Sequence, residues 1–203
     1  MRIRRTCRLL VIGGASLAAV SVSVPASASV TLTISESVAL STTLKSLHQT
    51  VQFPTGTFVG ELNQQNGKLT GSIDLPPATT QVQLAGIGLA DATISVVDLK
   101  KVVGRITNVS DADKLSATAT VQVRIDSLAL AVLPTVNLVG THCATLKPVT
   151  LQMKGPISLF SASTFTGTYT LPDLGHCGAA TGALNAVLPG PGNTYSTTMT
   201  PSY

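Results

Sequence analysis

His142-Cys143 and His176-Cys177 are the residues best placed to do chemistry, because each sets a sulfur beside an imidazole. Thirty-three residues separate the two thiols, so they lack the C-x-x-C spacing of a redox catalyst. In an exported chain such a pair reads as a disulfide, worth roughly 3–4 kcal/mol by loop-closure entropy. The bridge would bring both imidazoles into one neighbourhood. Two histidines make only part of a metal site, and the acid nearest in sequence is Asp173. Coordination demands convergent geometry that neighbouring positions alone do not supply, so no metal and no cofactor is expected. The sequence leaves open whether His142 and His176 converge on one. The plainer reading is two polar residues flanking an exposed bridge.

Other candidates are weaker. Asp111-Ala112-Asp113 lacks the glycine and distal glutamate of a calcium loop and reads as a turn. Asn108-Val109-Ser110 fits the glycosylation sequon. His48 stands alone after an alternating segment and reads as a surface or edge residue. The chain has no G-x-S-x-G, no H-E-x-x-H and no glycine-rich phosphate loop. No serine is marked as a nucleophile by a neighbouring base. Aromatic residues are 3% with no tryptophan, too few for a sugar-stacking platform. No catalytic residue is expected.

The first segment reads as a leader. Arg2, Arg4, Arg5 and Arg8 precede an apolar run over 9–24, and Ala26-Ser27-Ala28 supplies small residues for cleavage. Residues 1–28 are expected to be a signal peptide and 29–203 a single secreted β domain. The apolar run is short for a span, so no transmembrane anchor is expected after cleavage. Cys7 precedes the run and is not a lipobox cysteine. The leader also carries the charge. Four of the 13 basic residues lie in it and none of the nine acids does, so the formal +4 vanishes on cleavage. That balance offers no footprint for nucleic acid or an anionic membrane.

Strands must position whatever chemistry there is. Leu115, Ala117, Ala119, Val121, Val123 and Ile125 alternate without a fault against Ser116, Thr118, Thr120, Gln122, Arg124 and Asp126. A strict period of two means a half-buried strand. Similar alternation runs through 30–34, 38–47, 149–154, 164–171 and 193–200. Asn66-Gly67 between two such runs predicts a hairpin. Lys100-Lys101 reads as a solvated turn, and 108–113 as a polar loop. Residues 128–133 are apolar on both faces, so they are buried on both or bend across a sheet edge. Residues 178–188 are the one helix candidate, stopped by Pro189-Gly190. About ten short strands and one short C-terminal helix make an all-β antiparallel sandwich or barrel.

Several segments carry a resemblance. Cys143 to Val149 reads C-x-T-x-x-P-V, and Thr166 to Pro172 reads T-G-T-Y-T-L-P before Cys177-Gly178. Leu184-Asn185, Gly190-Pro191-Gly192-Asn193-Thr194 and the earlier GSIDLPP from Gly71 complete the pattern. Together these resemble uncharacterised secreted β-rich proteins common in actinobacteria. The resemblance implies export and a β-rich domain with the cystine Cys143–Cys177. It implies no activity and no catalytic residue.

The functional expectation is therefore a non-catalytic secreted or cell-wall-associated protein, acting by binding or as an envelope component. A carrier of an apolar, lipid-like ligand in a cavity between sheets is one alternative. A hydrolase with an unrecognised site is the other. The partner is unknown from sequence; an apolar patch or cavity is the expected point of contact.

Overall fold

The computed structural model describes residues 30–84, 87–109 and 112–202. The leader 1–28 lies outside them, as do Ser110 of the sequon and Asp111 of the acidic turn. Among the described residues no helix is long and apolar enough to cross a membrane.

Twelve strands form among the described residues: β1 Thr31–Leu44, β2 Gln49–Gln52, β3 Gly56–Asn63, β4 Lys68–Asp74, β5 Ala78–Leu84 and β6 Ile87–Val109. They continue with β7 Ala112–Leu130, β8 Ala144–Thr145, β9 Val149–Pro156, β10 Ser163–Leu171, β11 Leu174–Gly175 and β12 Gly190–Pro201. A 3-10 turn, Gly178–Ala180, leads into the one α-helix, α1 Thr181–Val187. All pairings are antiparallel, and one unclosed sheet runs β10-β12-β1-β3-β4-β6-β7-β8-β11. β2 adds to β1, β5 to β6 and β9 to β7.

β1 and β6 are far longer than the short segments expected, and β7 runs along the long alternating stretch that predicts it. β1, β6 and β7 have 14, 23 and 19 residues. Each takes two partners in succession along one edge. β1 pairs β3 and then β2; β6 pairs β5 and then β4; β7 pairs β9 and then β8. The sheet therefore wraps around its own core. Lys100-Lys101 is not a turn: both residues lie inside β6, among register shifts against β7. A bulge bends the strand there and lets both ammonium groups face water. Nor is the whole of 108–113 a polar loop, because β6 and β7 pair up to Val109 and Ala112.

Alternation sets the faces as expected. Leu115, Ala117, Ala119, Val121 and Ile125 are buried, while Ser116 and Thr118 are exposed. Asn66-Gly67 turns the β3–β4 hairpin, with Gly67 at φ 68°. Outward threonines form the surface and bond across strands, Thr164 to Thr198 at 2.9 Å and Thr43 to Thr50 at 2.8 Å. The apolar run at 128–133 bends rather than burying both faces. β7 stops at Leu130, Leu130 bridges Leu133, and Val132 is 82% exposed. Asn137 secures the bend, accepting from the Leu128 and Val139 amides.

Candidate apolar binding cavity

A cavity of about 70 Å³ lies inside the wrapped sheet. Its walls are pairs or triplets of residues two apart in sequence: Leu40, Thr42 and Leu44 on β1, Ile94 and Val96 on β6, and Val121, Val123 and Ile125 on β7. Val149 and Leu151 on β9 and Tyr169 and Leu171 on β10 complete the ring. The spacing follows from the strand's period, which sends alternate side chains inward. A smaller void of about 30 Å³ adjoins it, sharing Leu40, Val96, Val121, Leu151 and Tyr195.

The polar atoms on this wall are already engaged. Thr42 donates its one hydroxyl hydrogen to the Thr194 carbonyl at 3.0 Å, so Tyr169 must donate to Thr42 Oγ1, at 2.7 Å. The Tyr195 hydroxyl donates to the Gln152 carbonyl at 2.5 Å. Burial pushes both phenols above their ordinary pKa, with the hydrogen bonds opposing it. A guest would meet hydrocarbon and no unspent donor, so only apolar groups gain by entering.

One end of the cavity is capped by a second small core. Cys143 and Cys177 are bridged, with Cα atoms 4.2 Å apart, and both are buried. Leu174, Ile125 and Leu184 pack around the bridge, and Leu174, Ile125 and Leu188 also line the cavity. Asn185 pins α1 to β11: its Oδ1 accepts from the Leu174 amide at 2.8 Å and its Nδ2 donates to the Leu174 carbonyl at 2.9 Å. Leu44, Ile94, Val96, Val123, Leu151 and Leu188 are only partly buried, so the cavity wall is in contact with its surroundings.

No family model matches the chain, and neither a curated protein nor a solved structure matches it. The site is therefore read from its own geometry.

The sequence candidates fall elsewhere. His48 is exposed in the β1–β2 turn, at φ 52°. His142 and His176 are both exposed and line one surface pocket, as the bridge implied. Among the described residues no group of three or more histidine, cysteine, aspartate or glutamate side chains could hold a metal ion. Asp173 lies in a separate groove with Lys147 and Asn185. The cavity itself was missed residue by residue. The alternating faces were its signal, but they mark every inward position alike.

Proposed function

We propose that this chain is a non-catalytic binding protein that takes a slender apolar group, such as the end of an acyl chain, into the sheet interior. The observation that carries the reading is an apolar cavity whose polar wall atoms all hydrogen-bond to the protein. Among the described residues no histidine and no acid lines it. General acid–base chemistry needs such a group within hydrogen-bond reach of the substrate, so the cavity is built to hold and not to convert. Export is part of the same reading. A cystine persists in oxidising compartments, and the resemblance to secreted actinobacterial β-proteins agrees with it.

Native mass spectrometry and organic extraction of protein from its own secretion medium should recover an apolar compound. Val123→Phe fills the cavity, and should cut binding of that compound or of a fluorescent fatty acid by at least about tenfold without lowering Tm. Equal binding by the filled variant would remove the cavity from the account. Turnover of an ester, glycoside or peptide substrate that a single His→Ala change abolishes would overturn the non-enzymatic reading.

A further inference from the structure

We propose that the surface pocket framed by Arg124, His142 and His176 is an oxyanion-binding site, separate from the apolar cavity. The pocket has a volume of about 380 Å³ and also takes in Gln122 and Thr145. None of its lining residues lines the cavity. Its residues come from β7, from β8 and from the segments on either side of the cystine. The bridge is what places His142 near His176, since each precedes a bridged cysteine.

The chemistry of the wall favours an anion. Among the described residues no carboxylate lines the pocket, whereas a guanidinium and two imidazoles do. Arg124 is held in place by one bond, Nη2 to Asp126 Oδ1 at 2.8 Å, and Asp126 is itself fixed by the Ser95 hydroxyl. One guanidinium has five N–H donors in a rigid fork, so most remain for a ligand. The Gln122 amide is spent on the Thr145 carbonyl at 3.0 Å and supports the wall. A metal cation suits this site poorly. The guanidinium repels it, the thiolates are consumed in the bridge, and among the described residues no third ligand joins the two histidines. His176 is held at φ 59°, a backbone conformation that carries strain for a residue with a side chain.

Arg124 on β7, His142 before β8 and His176 after β11 line the pocket, and Asp126, the partner of Arg124, lies outside its lining.

A free oxyanion and a phosphate headgroup share this chemistry. Sulfate is the first probe. Titrated into the whole protein, it should shift the ring resonances of His142 and His176 saturably, and leave His48, the chain's third histidine, unmoved. Binding should weaken about tenfold in Arg124→Gln. His176→Asn tests the imidazole while keeping a residue that tolerates the left-handed backbone, and should weaken binding likewise. Binding of anionic phospholipid vesicles without response to sulfate would assign the same site to a headgroup. Linear, unsaturable shifts, or equal shifts at His48, would show an adventitious ion and overturn the proposal. Saturation by zinc with no response to either anion would also overturn it. None of these results depends on the apolar cavity.

Discussion

Two halves of one core are packed to different standards. Around Phe58 the fit is close. Its ring covers the cross-strand pair Gly60–Gly71, and a Cβ on Gly71 would stand 2.4 Å from the ring and 2.6 Å from the Val59 carbonyl. Phe58 and Phe165 are 2% and 1% exposed. Around Val96 and Val123 the fit is loose, with branched aliphatic side chains surrounding a void. Both halves use the same strands and the same alternation. A protein interior is ordinarily filled at crystal-like density, so the void marks the looser half of this core.

The sharpest way to break this comparison is to truncate one residue in each half. Phe58→Ala should cost about 3–5 kcal/mol, since the ring's partners are backbone and cannot collapse into the gap. Val96→Ala should cost about 1 kcal/mol, because Val96 already borders the void and is only partly buried. Chemical denaturation gives both values; equal losses would mean that the halves do not differ.

Enlargement should give the opposite pattern. Gly71→Ala pushes a methyl into the Phe58 ring and should lose about 1–3 kcal/mol. Val96→Ile places a methylene in the void and should gain about 0.5–1 kcal/mol. A stability loss with both would show the cavity to be too rigid to accept a guest.

The smallest effect concerns pH. Glu36 faces inward on β1 between Ile34 and Val38, and burial raises its carboxyl above the usual range. An acid whose folded pKa is raised contributes stability below its unfolded pKa and loses that contribution as pH rises through the folded one. The protein should therefore melt slightly higher in mild acid than at neutrality, other groups being equal. Glu36→Gln should abolish that component and raise Tm at neutral pH. An unchanged pH profile would mean that the carboxylate is solvated.

The alternation of Leu115 to Ile125 made β7 and its buried face legible in advance, because period two is a local property. The same holds for Asn66-Gly67 and for the helix ended by Pro189-Gly190. The continuity of β6 was hidden because Lys100-Lys101 has turn-like composition, and only pairing with β7 shows that a bulge carries both lysines outward. The cystine was readable as the one pair left outside the leader. The cavity was not readable. Whether Val96, Val123, Leu151 and Leu171 fill the space between them depends on volumes contributed by four strands distant in sequence. Asn185 and Asn193 were equally opaque. Asn193 is buried while its side chain accepts from the Lys45 amide at 2.9 Å, a role that composition does not reveal.

Tyr195 reaches Gln152 across a glycine. Its ring lies on Gly167, its register partner in β10, and its hydroxyl meets the β9 carbonyl beyond. β10 ends the sheet's main path and β9 is ladder-paired only to β7, and among the described residues the two lie near one another without a ladder between them. An open strand edge is a template on which a second chain can add its own strand, the first step toward fibrils. Here the edges face each other across a seam that a tyrosine spans. A foreign strand would have to part the seam before it could pair. One aromatic residue and the missing side chain opposite it thus give an open sheet some of the protection that closure gives a barrel.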